Sequence, residues 1–337
     1  MTRSSSPSQF HEALYSSITP SLGFQGQTTV QWRRELASAF QKALGWDPSK
    51  ERGRLNVEIL EEAETKTYTR RKLVFESEPG ADVWGHLLTP KGPTGNLPAF
   101  VCLQGHTNGM HVSIGEVRND RDQNCVDREL DYAIQAVHEG YIALAIEQRA
   151  FGERKEALQQ ARATSGCEDA AMHALLFGHT LLAERAWDVS RAIDLLETIP
   201  GVDKSRIGCM GASGGGTATY YAACVDERIS IAMPACSVCT YADSIFRINH
   251  CTCNYIPGIL KIADMGDLAG LIAPRKLIIV AGDKDEIFPI EGVRRAYDTA
   301  ERIYAAVGAS NRIRLVVCDG GHRFFARESW AAVREML

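Results

Sequence analysis

Ser213 lies in the run Gly211-Ala212-Ser213-Gly214-Gly215, and Gly208 and Gly216 bring further backbone freedom to the same stretch. The pattern is G-x-S-x-G. It sits between an apolar run, RIGCM, and a segment of small and aromatic residues that reads as a helix. A nucleophilic serine must project from a sharp strand-to-helix turn. Glycine at 211 and 215 removes side chains that would block such a turn. Serine alone is a weak nucleophile and needs a base. His322, in Asp319-Gly320-Gly321-His322 directly after the run RIRLVV, is the candidate. The histidine in turn needs a carboxylate to fix its tautomer. Asp285, in AGDKDEIFP, is the preferred acid, with Asp283 as the competitor nearer the strand end. A tetrahedral oxyanion needs two donors. The expected pair is the N–H of Gly214 and the N–H of His106, in the loop Gly105-His106-Thr107. Each residue has a plain alternative: a glycine-rich turn, a loop histidine, a solvated carboxylate. Serine, acid and base in this order after the right elements disfavour all three.

Other residues are candidates for contacting substrate. Gln104 and Thr107 flank the oxyanion loop. His250 and Asn254 lie in a long segment, Pro234 to Pro274, that interrupts the rhythm of the chain. An insertion of that length often forms a cap or pocket wall. It also holds Cys236-x-x-Cys239 and Cys251-x-Cys253 beside His250, which invites a zinc reading. The first spacing suits half a zinc site, but C-x-C is poor for the other half. These cysteines are therefore expected to be buried or cap-lining thiols, with no metal and no organic cofactor. Arg149 and Glu153 are expected to pair with each other near the site.

The elements that must position these groups are legible. Residues 1–50 read as a preface, in which Thr29 to Gly45 has helical spacing, with Leu36, Phe40 and Leu44 on one face. RLNVEILEEA, KTYTRRKLVFES and ADVWGHLLTP alternate as half-buried antiparallel strands do. PKGPTGNLP is a turn-rich connector. From Ala99 strands and helices alternate. AFVCLQ, YIALAIE, RIGCM, ISIAM, KLIIVAG and RIRLVV are short apolar runs of the parallel type. Helices are expected around Leu130 to Val137, ended by Gly140, and around Leu182 to Leu196. The expected fold is α/β, a doubly wound, mostly parallel sheet with antiparallel N-terminal strands and an inserted cap-like segment. Residues 51–337 form its catalytic domain, with 1–50 a helical extension packed on it.

Composition narrows the partners. The 337 residues are 45% hydrophobic and 23% charged, with a net charge of -5. Nothing there favours nucleic acid or an anionic membrane. No run of 18 apolar residues occurs, so no transmembrane helix is expected. MTRSSSPSQFHEALYSS lacks the apolar stretch of a signal peptide, which points to a cytoplasmic protein. The ten cysteines are expected to be thiols rather than a disulfide framework. Assembly into a homo-oligomer is left open.

From Leu87 to the C-terminus the sequence resembles the α/β-hydrolase superfamily, and within it the acetyl xylan esterase-like and dienelactone hydrolase-like branch. The resemblance rests on LQGHTNG, GYIALAIEQRAFGER, WDVSRAIDLLETIPGVDKSRIGCMGASGGG, LIAPRKLIIVAGDKDEIFP and GGHRF. Two positions depart from it. Gln104-Gly105 stands where His-Gly is common, and Glu147-Gln148-Arg149-Ala150-Phe151-Gly152 where Asp-x-Arg-Gly-x-Gly is common. The resemblance implies a serine carboxylic-ester hydrolase that works through an acyl-enzyme, without cofactor, on short-acyl esters of small molecules or carbohydrates. The alternatives are a peptidase, a lactone or carbon–carbon hydrolase using the same triad, or a non-catalytic binding protein on the scaffold.

Overall fold

The structure is a computed structural model that describes residues 6–27, 30–92, 95–156 and 166–336. Nine strands form one sheet: β1 (Glu58–Glu64), β2 (Tyr68–Glu78), β3 (Ala81–Pro90), β4 (Leu97–Leu103), β5 (Ile142–Ile146), β6 (Val202–Ala212), β7 (Ile229–Ala235), β8 (Lys276–Gly282) and β9 (Ile313–Cys318). Their spatial order is β1-β2-β3-β5-β4-β6-β7-β8-β9. The pairings from β1 to β5 are antiparallel, and those from β5 through β4 to β9 are parallel. Every residue of β5 is buried, as in a strand covered on both faces. The order reverses around β4, whose neighbours are β5 and β6. Loops leaving such a switch point diverge and open a crevice at the carboxyl ends of the strands.

Ten helices are described: α1 (Ser8–Ser17), α2 (Val30–Leu44), α3 (Asp120–Asp127), α4 (Tyr132–His138), α5 (Cys167–Leu176), α6 (Leu181–Leu196), α7 (Gly214–Val225), α8 (Met265–Ile272), α9 (Ile290–Ala306) and α10 (Ala326–Met336). Alternate residues of β4 point into two cores. Ala99, Val101 and Leu103 join the core with α2, α6, α7, α8 and α9, while Phe100 and Cys102 join the core with α4 and α10.

The preface contributes directly to the first core. Trp32, Leu36, Phe40 and Leu44 recur every fourth residue along α2 and are all buried. Each such side chain contributes about 2 kcal/mol by leaving water. Trp32 Nε1 donates to Leu22 O at 3.0 Å, and Phe24 N donates to Asp267 Oδ1 at 2.8 Å. By contrast, α1 buries no residue. Thr29, where the helix is expected to begin, lies outside the described residues, as do residues 1–5 and Pro93 and Thr94 of the turn-rich connector.

One strand departs from expectation. β1 is exposed at all seven positions instead of being half-buried. It is the edge strand, on which none of the described elements packs, and its four glutamates guard that edge against further pairing. The segment 234–274 completes β7 and ends in α8. Between them Val238, Tyr241, Ile245, Ile256 and Ile259 enter the first core. No described helix is long and apolar enough to cross a membrane.

Candidate active site

β6 ends at Ala212 and α7 begins at Gly214, so Ser213 alone makes the turn. Its backbone has φ 56° and ψ -126°, a conformation that L-residues rarely adopt. Such strain persists only where the surroundings enforce it. Ser213 N donates to Ala235 O at 2.9 Å, and Ser213 O accepts from Thr217 N at 2.8 Å. Close packing explains the flanking glycines. A Cβ on Gly215 would lie 2.0 Å from Leu103 O, and one on Gly211 would lie 2.5 Å from the same oxygen. Ser213 makes no side-chain cap to α7 and lines a cavity of about 370 Å³.

His322 lines the same cavity. Its Nδ1 is 2.8 Å from Asp285 Oδ2. The other oxygen of Asp285 accepts from Ile287 N at 2.8 Å and Phe288 N at 3.1 Å. Burial alone would raise the Asp285 pKa. The His322 hydrogen bond and charge, with the two N–H groups, outweigh it and hold the carboxyl below its ordinary value. Asp283 instead accepts from Gly320 N at 2.9 Å and so fixes the loop that carries the histidine. Phe288 lies parallel to the His322 ring, with centroids 6.0 Å apart.

The turn after β4 comes over the elbow. Thr107 N donates to Gly105 O at 2.7 Å, which folds Gly105-His106-Thr107 tightly. The His106 ring covers Gly214, since a Cβ there would lie 2.9 Å from His106 Cε1. Thr107, His250 and Asn254 all line the cavity. Gln104, a sequence candidate for the pocket, does not. Its side chain is buried and donates to Glu147 Oε1. The strand end points it into the protein rather than toward the crevice.

The sequence profile of the Abhydrolase family matches residues 9–306. The chain belongs to that family. It is 25% identical over 271 residues to "Putative hydrolase YtaP" of Bacillus subtilis, covering 80% of this chain and 87% of that protein. Among solved structures, it is similar to one described as a putative acetyl xylan esterase from Bacteroides fragilis. The TM-score is 0.82 at 18% identity, over 99% of this chain and 96% of the other. It is also similar to a glucuronoyl esterase from Solibacter usitatus, with a TM-score of 0.72 at 16% identity, over 95% and 98% of the two chains. At these identities the structural likeness speaks for the shared fold.

Several parts of this abhydrolase's site are invisible to motif reading. Glu147 closes β5 and is buried; its Oε2 accepts from Met110 N at 3.1 Å and Glu153 N at 3.3 Å. Burial pushes its pKa up to about 7. Ala150 holds φ 67° in the loop beyond, where a glycine is more usual. The expected Arg149–Glu153 pair does not form. Arg149 pairs with Asp188 at 2.9 Å, and with Glu78, while Glu153 pairs with Lys72 at 3.1 Å. Asp188 lies fully buried on α6 and draws Arg149 inward, away from Glu153. Arg121, Asn124 and Arg128 also line the cavity, from a short helix and its end that carry no motif, and so does Arg323, directly after His322.

The cysteine group considered for zinc is divided. Cys236 Sγ donates to Arg323 O at 3.0 Å beside the histidine. Cys239 Sγ donates to Pro289 O at 3.8 Å, and His250 Nε2 meets Ser244 Oγ at 2.9 Å. Cys251 and Cys253 face elsewhere, toward His106 and Cys167. Among the described residues no cysteine is in a disulfide.

Proposed function

We propose that this protein is a serine carboxylic-ester hydrolase. The observation that carries the reading is Ser213 held at φ 56° in the cavity that also receives His322, whose Nδ1 is 2.8 Å from Asp285 Oδ2. In this reading Ser213 Oγ attacks the ester carbonyl carbon and His322 Nε2 takes its proton. Asp285 keeps the Nδ1 proton in place and stabilises the imidazolium. The N–H groups of Gly214 and His106 receive the negative oxygen, aided by the positive end of α7. Collapse of the tetrahedral intermediate expels the alcohol, which takes the proton from His322. Water, deprotonated by His322, then releases the acid and restores Ser213.

The lining supports a polar alcohol portion. Arg121, Asn124, Arg128, Asn249 and Asn254 offer hydrogen-bond donors around a cavity of about 370 Å³. That suits a small or carbohydrate-linked ester with a short acyl group, the class named for the similar putative acetyl xylan esterase. We place the protein among soluble cytoplasmic enzymes with no nucleic-acid or membrane partner and no catalytic cofactor. The test is labelling by a fluorophosphonate together with hydrolysis of p-nitrophenyl acetate and acetylated sugars. Wild type is expected to label and turn over. Ser213→Ala is expected to lose labelling and at least about 10⁴-fold in kcat/KM. A wild type that does neither, or a Ser213→Ala chain that still labels, would end this reading.

A further inference from the structure

Three segments distant in the chain meet beside the oxyanion turn. His106 comes from the turn after β4, Cys167 opens α5, and Cys251 and Cys253 come from the insertion. His106 Nε2 is 3.4 Å from Cys253 Sγ and 3.8 Å from Cys167 Sγ. With Cys251 Sγ, the four donor atoms all lie within 4.8 Å of one another. We propose that the imidazole of His106 and the thiolates of Cys167, Cys251 and Cys253 hold one zinc ion.

The spacing fits a single tetrahedral ion. Zinc bonds of about 2.3 Å to sulfur and 2.0 Å to nitrogen give nitrogen–sulfur edges of about 3.6 Å. The two His106–sulfur separations fall on either side of that value. Three soft thiolates with one imidazole select zinc over calcium or magnesium. Four protein ligands close the coordination sphere, so the ion is structural and leaves no position for substrate.

Charge gives an independent argument. Arg185 is buried, with its guanidinium 4.2 Å from the centroid of Phe151. Its Nη2 donates to Cys167 Sγ at 3.2 Å, and its Nε and Nη2 donate to Arg149 O at 3.1 and 2.9 Å. Among the described residues no carboxylate forms an ion pair with it, its Nη1 has no hydrogen-bond partner, and the Cys167 sulfur is the group its charge meets. A buried cation needs an anion beside it. Zinc with three thiolates carries one negative charge, which Arg185 neutralises. The N–H···S bond also orients Cys167, as partners of metal ligands commonly do. Ala150, Phe151, Ala171 and Leu181 shelter the group from water.

The consequence is a clamp. Zinc at Nε2 would hold a ring whose other edge already packs on Gly214. The same ion would tie α5 and the insertion to the turn that carries the His106 N–H. The inference does not depend on esterase chemistry, because metal content is read without substrate.

The test starts with wild-type protein from zinc-supplemented cells, gel-filtered without chelator. Elemental analysis is expected to give one zinc ion per chain. Cobalt exchanged into the site is expected to show thiolate-to-cobalt charge-transfer absorption. Cys167→Ser and Cys253→Ser are expected to emerge from the same column without metal, whereas Cys318→Ser, on β9, keeps it. Wild type carrying less than about one zinc per ten chains after incubation with Zn²⁺ overturns the proposal, whether or not the variants fold. So does a Cys167–Cys251 disulfide in the non-reduced mass spectrum of fresh protein. A Cys167→Ser chain that retains one zinc and the cobalt spectrum also overturns it.

Discussion

Asp283 and Asp285 stand two positions apart in one loop, and the structure gives them different neighbours. Asp285 is buried and bonded to His322 Nδ1, whereas Asp283 bonds the Gly320 N–H. The sequence favours Asp285 but cannot separate them fully, because both follow β8 and both are within reach of a loop after β9. The difference lies in which carboxylate turns inward. It predicts unequal losses. In the proposed mechanism Asp285→Asn removes the charge that stabilises the imidazolium and disturbs the tautomer, so kcat should fall about 10⁴-fold. Asp283→Asn loses one loop contact and should cost less than about tenfold. Steady-state kinetics on p-nitrophenyl acetate reads both. A larger loss in Asp283→Asn would contradict the assignment. His106 teaches the opposite lesson about legibility. Its loop points to an oxyanion donor, but no spacing rule links its ring to Cys167, 61 residues away. Local motifs such as C-x₂-C are visible in sequence; ligands assembled by folding are not.

At the scale of elements, the strands with continuous apolar runs were the readable part. The apolar runs of β4 through β8 are covered by helices, and their composition says so. β9, at the other sheet edge, is buried only at Ile313, although its run RIRLVV reads the same way. β1 departs from its pattern, since its alternation is real but it sits at the uncovered edge. The end of β5 shows what element order alone misses. Glu147 is buried there and braces two loops at once, accepting from Met110 N and Glu153 N and from Gln104. Burial dominates its pKa, with Glu153 adding repulsion and Arg154 partly opposing it, and the result rises from 4.5 to about 7. The folded chain therefore holds this proton more tightly than the unfolded chain. Its contribution to stability is complete below about pH 4.5 and is lost as pH rises through about 7, on the order of 3 kcal/mol in all. Glu147→Gln should abolish that dependence. The glutamine oxygen can still accept the two backbone N–H groups, and its amide can donate to Gln104 Oε1, which has no partner among the described residues. Urea denaturation across this range should show the wild-type free energy falling relative to the variant. Parallel curves for the two proteins would refute the buried-acid account.

At the scale of the molecule, the turn that carries Ser213 is held by parts of the chain far apart in sequence. The insertion is built into the first core, and it meets the N-terminal preface. Arg247 pairs with Glu12 at 2.9 Å, and Tyr15 stacks on Phe246 with centroids 5.2 Å apart. Deeper in, Phe40 of α2 packs against Tyr221 of α7, at 5.7 Å between centroids. The helix that presents Ser213 thus rests partly on a segment more than a hundred residues earlier. Helical spacing revealed the apolar face of α2, but not what it would cover, since that depends on how the sheet folds beneath it. The contact gives a direct measurement. Phe40 is fully buried, so Phe40→Ala leaves a cavity that rigid neighbours cannot fill, at a cost of about 3–5 kcal/mol. Phe10 on α1 is 66% exposed, and Phe10→Ala should change stability by less than about 0.5 kcal/mol. Urea unfolding followed by tryptophan fluorescence compares the two. If α2 only rested on the surface, both variants would match wild type. If it is part of the core, only Phe40→Ala shifts the midpoint. The shift should be the same when hydrolysis of p-nitrophenyl acetate is the probe, because α7 cannot keep its place after α2 has left.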